Sequence, residues 1–598
     1  MTARSLTGAG VVAEYLVAQK VPYAVGIPGH GSWLLVDAIA DHHPEIELVQ
    51  AMHEQGAIHL ADGYYRASGR PLMAFTSIGP GAANTVMGMA TAYVDSSALL
   101  LVTGSVHTHM RGRGVLQELD RTHDADFPRV MEGVTKRWWQ PSRTGDMPQV
   151  MQRAFNEMLT GRPGPVHIDL PMDVQAEAAE LTMPVPERRE ARGRVRPEAD
   201  LVSRAAELLA TARRPVIVAG GGVITAEASA ELVTVAERCG AFVVTTWMGK
   251  GAIPEDHALF AGPIGDTAST SGNALAASAD VLLAVGCRFT DWSASSYRRG
   301  VTFSIPDTKL IHLDIDRGEI GKNYPVEIPL VADAKAGLAD LAGALGERRP
   351  ADREAYLAEG RERKERWAAR QEQSRADTRG PMTQQRAVWE LRKAVARDAI
   401  VVTGAGLPQA IVRQDWPVYA PRTHLTSGGY SSMGFTVPAA IGAKLARPER
   451  QVVAVAGDGD FLQTMQEIAV ASMRELPVLF VVLNNSGWIS IKGGQLSHFG
   501  HAEITDFLKK DGEVYSPRYD DVAKAFGIPG ERIDDPAGIA PAASRALASG
   551  GPALLEVVVA RDFPQAGLIK TGWWDVPVPE WHAEQRARYR EGLAEEQL

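Results

Sequence analysis

The chain has 598 residues, 45% hydrophobic and 22% charged, which is typical of a globular protein, and its length predicts about three or four domains. A formal net charge of −10 without a long basic run excludes nucleic acid and anionic membranes as expected main partners. Two cysteines exclude a disulfide framework, and no apolar stretch of about 18 residues predicts a membrane span, so we expect a cytoplasmic protein.

Short apolar runs alternate with helical patterns up to about residue 180. The runs at 23–27, 72–75 and 98–102 indicate strands of a parallel sheet, and we expect a first α/β domain over residues 1–180. The polar residues 181–198, rich in Pro, Glu and Arg, predict a linker.

A second α/β unit starts with the apolar run and glycines at 215–222, and its later strands are expected at 281–285 and 309–315. We expect a central, Rossmann-like domain over residues 190–345. The charged residues 346–382 predict a helical connector.

The third α/β domain is expected over residues 383–565, and residues 566–598 form a C-terminal tail with an aromatic, proline-rich part and a charged helix. The predicted fold class is therefore α/β, with three doubly wound parallel-sheet domains in tandem.

The third domain contains the most informative motif. Gly-Asp-Gly-Asp at 457–460 follows a strand pattern at 452–456, and Asn-Asn-Ser-Gly at 484–487 follows a second strand pattern at 477–483, with a helical pattern at 461–474 between them. Carboxyl ends of neighbouring parallel strands face one crevice, where ligands bind. A carboxylate and an amide oxygen suit Mg²⁺, and glycines let the backbone approach a phosphate. The motif predicts a site for Mg²⁺ and a phosphorylated ligand.

This spacing resembles the diphosphate and metal motif of thiamine-diphosphate-dependent enzymes, and the acetolactate synthase group is the most similar. Four further stretches match that group in order, at residues 49–56, 76–84, 161–175 and 427–443. The resemblance implies a pyrimidine-binding first domain, a central domain and a diphosphate- and Mg²⁺-binding third domain.

Glu54, just after a predicted strand, matches the catalytic glutamate of the family. The resemblance implies that Glu54 hydrogen-bonds N1′ of the cofactor's aminopyrimidine and favours the imino tautomer. That tautomer removes the proton from thiazolium C2, and the resulting ylide attacks a substrate carbonyl. A solvated surface glutamate is the alternative interpretation.

The resemblance also implies the remaining cofactor contacts. Asp458, Asn485 and the backbone carbonyl of Gly487 would bind Mg²⁺. Met433 would support the thiazolium ring, and the carbonyl of Ser431 would accept from the cofactor's amine. The full expected cofactor-binding set is Glu54, Gly404, Ser431, Met433, Gly457, Asp458, Gly459, Asp460, Asn485, Gly487 and Trp488.

Three further polar residues are candidates for catalysis beside Glu54. Gln117 matches a glutamine near the reacting carbon, and Lys136 matches a lysine of the substrate channel. His30 lies in a glycine-flanked loop where the synthases usually carry small residues, and it suits substrate binding or proton transfer. The alternative for each is an ordinary solvated side chain.

FAD is an open third cofactor. The synthase group binds FAD in its central domain without net redox, and Gly220, Gly221, Arg288 and Asp316 match some of its contacts. The chain lacks the G-x-G-x-x-G spacing of a dinucleotide oxidoreductase. Thr290 replaces an aspartate near the flavin, which leaves FAD binding undecided.

The substrate site departs from the synthase pattern. Trp292 replaces the arginine that holds the carboxylate of the second 2-oxoacid, and an indole cannot form a bidentate ion pair. Residues 29–31, 489–494 and 573–578 instead resemble cyclic 1,2-dione hydrolases, which open a ring by C–C cleavage with water.

Three functions therefore remain open. The first is a lyase or carboligase that decarboxylates a 2-oxoacid and joins the product to an acceptor. The second is a hydrolase that cleaves a cyclic 1,2-dione, and the third is a non-catalytic regulatory or flavin-binding paralogue. We expect a small-molecule carbonyl substrate, thiamine diphosphate and Mg²⁺ as cofactors, and a homodimer or homotetramer with active sites at the subunit interface.

Overall fold

The computed structural model describes residues 3–124, 126–186, 193–347, 353–563 and 565–594. Within these ranges there are three six-stranded sheets and one two-stranded antiparallel ribbon. Neighbouring strands of the large sheets run parallel. The predicted fold class, three parallel-sheet α/β domains, is confirmed.

The first domain comprises, in chain order, β1 (Arg4–Thr7), α1 (Gly8–Ala18), β2 (Tyr23–Gly26), α2 (Trp33–Ala40), β3 (Glu47–Gln50), α3 (Glu54–Ser68), β4 (Met73–Thr76), α4 (Pro80–Ala83), α5 (Val86–Val94), β5 (Leu100–Ser105), α6 (Phe127–Met131), β6 (Arg137–Trp139), α7 (Met147–Leu159), β7 (Val166–Pro171), α8 (Met172–Ala176) and β8 (Ala178–Leu181). The strand order is β3-β2-β4-β5-β7-β6. β5 and β7 are buried throughout, as expected for strands covered on both faces.

The central domain comprises α9 (Ala199–Thr211), β9 (Pro215–Ala219), α10 (Gly221–Thr225), α11 (Ser229–Cys239), β10 (Phe242–Thr245), β11 (Phe260–Pro263), α12 (Thr270–Ala277), β12 (Val281–Val285), β13 (Lys309–Asp314), β14 (Ile328–Val331) and α13 (Ala334–Leu345). Its strand order is β11-β10-β9-β12-β13-β14. The sequence order reverses between β9 and β12, which places a crevice at their carboxyl ends.

The third domain comprises α15 (Gln384–Lys393), β15 (Ile400–Thr403), α16 (Leu407–Asp415), β16 (His424–Thr426), α17 (Thr436–Ala446), β17 (Val452–Gly457), α18 (Asp458–Thr464), α19 (Ile468–Met473), β18 (Val478–Asn484), α20 (Ile489–Phe499), α21 (Tyr519–Ala525), β19 (Gly530–Ile533), α22 (Pro536–Ala548) and β20 (Ala553–Val558), and it follows the connector helix α14 (Glu354–Arg375). The strand order is β16-β15-β17-β18-β20-β19. β17 and β18 are neighbours, with Gly457 opposite Leu483.

The helical pattern predicted at 461–474 is interrupted in the structure. α18 begins earlier, at Asp458, and ends at Thr464, whose φ of −140° lies outside the helical range. A 3₁₀ turn at Met465–Glu467 then leads into α19. The segment 458–467 is therefore a short helix with a tight turn at its end.

Helices α3 and α17 join the first and third domains, whose apolar side chains share one hydrophobic core. Their crossing is close because each helix presents a glycine to the other backbone. A Cβ atom on Gly63 would lie 2.2 Å from the carbonyl oxygen of Ala439, and one on Gly442 would lie 1.9 Å from that of Leu60. Neither position has room for any side chain.

Parts of three predicted connecting segments lie outside the described residues: 187–192 of the linker, 348–352 of the connector and 595–598 of the tail. The described connector is helical in α14, and the described tail ends in α23 (Ala583–Leu593). None of the described helices has the length and apolar character of a membrane span.

We expect Gly442→Ala to lower the midpoint of thermal unfolding, because its methyl group would force α17 away from α3. Overpacking of this kind costs about 1–3 kcal/mol. The control is Gly343→Ala on α13, where a Cβ atom would meet nothing within 4 Å; a helical alanine should leave stability unchanged or raise it. Equal midpoints for Gly442→Ala and the wild type would contradict the close crossing.

Candidate functional site

Glu54 begins α3, four residues after the end of β3 at Gln50. Its side chain is half-buried at the carboxyl edge of the first sheet. Oε2 accepts a hydrogen bond from the Asn84 amide at 2.9 Å, and Oε1 would lie 3.0 Å from a Cβ atom on Gly81. The turn after β4 therefore fixes one side of the carboxylate and leaves little space beside it.

The turn after β4 also packs against the loops that contain two other candidate residues, Gln117 and His30. A Cβ atom on Gly79 would lie 2.2 Å from the carbonyl oxygen of Gln117, which has a left-handed φ of 67°. A Cβ atom on Gly31 would lie 2.4 Å from the side chain of Ile78. His30 is thereby held at the adjacent position, half-buried, whereas the Gln117 side chain is exposed. The structure therefore places Glu54, His30 and Gln117 around the turn that follows β4.

Lys136 is placed elsewhere. It precedes the edge strand β6, and its amine donates to the carbonyl oxygens of Glu157 at 2.5 Å and Thr160 at 2.9 Å, at the end of α7. Burial lowers the pKa of this ammonium group, and Glu157 acts in the opposite direction. The structure does not join Lys136 to the turn that carries Glu54.

Asp458 and Asn485 meet at the carboxyl ends of β17 and β18. Both residues are at least 96% buried. Asp458 accepts from the backbone N–H groups of Gly459 at 2.8 Å and Asn485 at 3.2 Å. Burial raises the pKa of the Asp458 carboxyl to about 6, against the effect of these hydrogen bonds.

The amide oxygen of Asn485 is buried and has no hydrogen-bond partner among the described residues. A buried acceptor without a partner is costly, and beside a carboxylate a bound cation would satisfy it. One carboxylate, one amide oxygen and a backbone carbonyl fit Mg²⁺. The described residues contain no cluster of three His, Cys, Asp or Glu side chains that could hold a metal ion.

Contacts within the protein require glycine at two positions of the metal motif, Gly459 and Gly487. A Cβ atom on Gly459 would lie 1.9 Å from the ring of Trp488, so the indole covers this glycine. The backbone N–H of Trp488 donates to the Thr505 carbonyl at 2.7 Å. Gly487 also approaches Thr505, since a Cβ atom there would lie 2.6 Å from the same oxygen. Gly457 ends β17.

The Asp460 carboxylate forms hydrogen bonds within the protein. Its carboxylate accepts from the Gly434 N–H at 2.6 Å and from the Thr436 hydroxyl. Burial raises its pKa to about 6. A Cβ atom on Gly404 would lie 2.6 Å from the same carboxylate. Asp460 therefore fixes the turn that carries Met433, which is half-buried.

Ser431 occupies the same turn, exposed and with a φ of 53°. Its hydroxyl donates to the Gln409 side chain at 3.3 Å. The segment 427–436 is thus held by Asp460 from one side and by α16 from the other. Whether Ser431 and Met433 contact a cofactor stays a prediction.

Sequence reasoning missed Glu467. This residue is 0% exposed, and its Oε2 accepts from the Met52 N–H at 3.2 Å, two residues before Glu54. Burial raises the pKa of the Glu467 carboxyl to about 7, and the nearby charge of Glu54 acts in the same direction. The one feature of the sequence that could have indicated a buried Glu467 is its place beside the apolar residues 468–471 in a helical pattern.

A cavity of about 650 Å³ lies among the three domains. Its walls include Gly221, Arg288, Trp292 and Ser431, so the central domain and the cofactor turn share one space. Gly220 lies behind this wall, since a Cβ atom there would lie 2.0 Å from the Gly286 carbonyl oxygen.

The guanidinium of Arg288 forms no hydrogen bond or ion pair with the described residues, and burial lowers its pKa. It is therefore a cation available to a ligand in the cavity. Asp316 is not among the cavity walls; it lies 3.6 Å from Arg162. Asp314 lines the cavity instead, and burial raises its pKa to about 6.

Trp292 forms part of an aromatic cluster at the cavity. Its ring centroid is 4.8 Å from that of Trp574 and 6.1 Å from that of Trp247. The tail that carries Trp574 is tied to the central domain, because the Asp575 N–H donates to the Ser296 hydroxyl at 2.8 Å. The residue that departs from the synthase pattern is thus supported by the C-terminal tail.

Comparison with known families gives three matches. Residues 6–124 match the N-terminal TPP binding domain of thiamine pyrophosphate enzymes, 202–341 match their central domain, and 404–557 match their C-terminal TPP binding domain. These three matches fall in the three sheet domains of the structure.

Individual proteins match over nearly the whole chain. The probable acetolactate synthase large subunit of Methanocaldococcus jannaschii is 36% identical over 565 residues, covering 93% of this chain and 92% of that protein. The acetolactate synthase large subunit of Corynebacterium glutamicum is 33% identical, with 95% and 89% covered. The isozyme 3 large subunit of Escherichia coli is 33% identical, with 89% and 90% covered. The chain therefore belongs to the thiamine pyrophosphate enzyme family, in the group that is similar to acetolactate synthase large subunits.

Proposed function

We propose that this protein is a thiamine-diphosphate- and Mg²⁺-dependent enzyme that cleaves or forms a C–C bond next to a carbonyl, acting as a 2-oxoacid decarboxylase or carboligase. The observation that carries the proposal is the unpartnered amide oxygen of Asn485 beside the buried carboxyl of Asp458. These two groups and the carbonyl of Gly487 would hold the metal that binds the cofactor's diphosphate.

Thiamine diphosphate, when bound, supplies a nucleophilic carbon and an electron sink for the bond change. Glu54 would hold and move a proton at N1′ of the aminopyrimidine, and Asn84 and Gly81 keep its carboxylate in one orientation. Ser431 would orient the cofactor's amine through its backbone carbonyl, and Met433 would support the thiazolium ring. Gln117 and His30, whose loops pack beside Glu54 against the turn after β4, would contact the substrate.

The active site would be assembled from two subunits, the first domain of one and the third domain of the other. Support comes from exposed apolar side chains near the two halves of the site: Leu116 is 74% exposed, Tyr430 45%, Met87 43% and Tyr93 40%. Large exposed apolar side chains are typical of surfaces that a partner covers.

The cavity among the three domains is the candidate site for FAD. Its volume falls within the range of cofactor pockets, and Arg288 would bind a phosphate there, beside the closely packed Gly220 and Gly221. Purified protein that shows no flavin absorbance after incubation with FAD would remove this part of the proposal.

Hydrolysis of a cyclic 1,2-dione is the second candidate. Trp292 and Trp574 form an aromatic wall where a carboxylate-binding arginine is expected, which suits an uncharged ring. Arg288 lines the same cavity, and if FAD does not bind there, its guanidinium is a cation for an acid substrate, which would favour the first candidate. Turnover measured with pyruvate and with a cyclic 1,2-dione separates the two, and turnover of either would exclude a non-catalytic paralogue.

Asp458→Ala should abolish Mg²⁺-dependent binding of thiamine diphosphate, because it removes the anionic ligand of the metal. Titration calorimetry with and without Mg²⁺ measures this. The control is Asp511→Ala, which removes an exposed carboxylate of a surface loop and should bind the cofactor as the wild type does. Unchanged cofactor affinity in Asp458→Ala would show that the motif is not the metal site.

Glu54→Gln should bind the cofactor but lose turnover by at least about two orders of magnitude, because an amide cannot exchange the proton. Mixing this variant with Asp458→Ala tests the two-subunit site. Mixed dimers would pair the intact Glu54 of one chain with the intact Asp458 of the other.

Random reassembly should therefore restore about a quarter of the wild-type activity. No recovery in a mixture that light scattering shows to have exchanged subunits would mean that each site lies within one chain. Near-wild-type kcat in Glu54→Gln alone would remove Glu54 from the mechanism.

The wild type should form little acetolactate from pyruvate alone, because Trp292 cannot pair with the acceptor's carboxylate. A charge-assisted hydrogen bond is worth roughly 1.5–3 kcal/mol, or about 10- to 150-fold in acceptor binding. Trp292→Arg should raise the yield by about this factor, whereas Trp292→Leu, which removes the ring without adding charge, should not. Efficient acetolactate formation by the wild type would contradict this prediction.

A further inference from the structure

Glu467 contacts the short segment from which Glu54 projects. Its Oε2 accepts from the Met52 N–H at 3.2 Å, whereas its Oε1 is buried and has no hydrogen-bond partner among the described residues. A Cβ atom on Gly56 would lie 2.4 Å from its Oε1. The Glu467 carboxyl therefore touches the chain on both sides of Glu54.

The hydrogen bond from Met52 to Glu467 gives a partner to a backbone N–H group just before the start of α3. α3 begins at Glu54, so the N–H groups just before and within its first turn have no partner inside the helix. These residues are half-buried, and an N–H group that loses water without gaining a partner costs about 1–3 kcal/mol. The His53 side chain accepts from the Gln55 N–H at 3.1 Å, and Glu467 accepts from the Met52 N–H.

We propose that Glu467 is a positioning residue for Glu54: by accepting the Met52 N–H group, it fixes the segment 51–54 so that the Glu54 carboxylate keeps the orientation that proton exchange with the cofactor requires. This inference rests on the role proposed above for Glu54. In this role Glu467 acts through the backbone of Met52.

The origin of Glu467 in the third domain strengthens the inference. Glu467 closes the 3₁₀ turn that follows α18, and α18 begins with Asp458. Within this segment the Thr464 hydroxyl donates to the Gly434 carbonyl at 2.9 Å, which anchors it to the turn of Met433. The segment that starts at Asp458 thus ends at the segment that carries Glu54 of the same chain, which in the proposed two-subunit arrangement serves a second active site.

The test compares Glu467→Gln, which keeps an acceptor oxygen of the same size, with Glu467→Leu, which removes the acceptor. Hydrogen–deuterium exchange in the enzyme without cofactor reports on the Met52 N–H group directly. Exchange there should rise at least about tenfold in Glu467→Leu and stay near the wild-type rate in Glu467→Gln.

Activity gives the second measurement, on whichever carbonyl substrate the wild type turns over. Glu467→Leu should lower kcat by at least about 30-fold, with cofactor affinity and KM within about threefold of wild type, because misorientation affects chemistry more than binding. Glu467→Gln should keep kcat within about threefold. The control is Glu390→Leu, an acid 8% exposed on α15, which should affect stability but not kcat.

Wild-type kcat or wild-type exchange in Glu467→Leu would overturn the proposal, as would an equal loss of kcat in Glu390→Leu. If Glu467→Leu does not fold, Glu467→Gln still decides: a folded Glu467→Gln that has lost activity or protection of Met52 would overturn the acceptor role. Absence of any turnover in the wild type would instead overturn the proposed function and leave the exchange result as the measure of positioning.

Discussion

Three buried carboxyl groups on one ten-residue stretch of the third domain accept hydrogen bonds from the backbone of three different loops, and the candidate site depends on this arrangement. Asp458 accepts from the loop after β18, Asp460 from the turn of Gly434, and Glu467 from the segment before Glu54. The N–H groups of Asn485 and Gly434 are buried and that of Met52 is partly buried, and each bond satisfies one of these backbone donors. Within one chain, the same bonds fix the expected metal ligands and the cofactor turn relative to Glu54, which in the proposed two-subunit arrangement serves a second active site.

This arrangement depends on the rigid contact between the first and third domains. α3 and α17 approach so closely that backbone touches backbone at Gly63 and Gly442, and their apolar neighbours belong to one core. Close-packed interiors transmit displacement rather than absorbing it. A shift of α17 would therefore move α3, and with it Glu54 of the same chain, relative to the segment 458–467.

The fold and the proximity of Asp458 to Asn485 could be predicted from the sequence because their signals are local. Buried parallel strands appear as continuous apolar runs, and polar residues directly after two such runs indicated that Asp458 and Asn485 lie at one edge. Glu467 carried no such signal, since an acid in a helical pattern resembles a solvated residue until its partner, 415 positions away, is known. Lys136 matched a family position, but only the structure shows that its amine binds the end of α7. Asp316 and Asp314 differ by two residues, and only the fold shows which of them lines the cavity.

The contact between Gly459 and Trp488 also has an evolutionary consequence. The indole occupies the space that a methyl group at position 459 would need, so the two residues are constrained as a pair rather than singly. A lineage that replaced Trp488 with a small residue would open a cavity, and alanine at 459 would then fill part of it. Substitutions at these two sites should therefore be non-additive, and a larger residue at 459 should become tolerated only after the indole is lost.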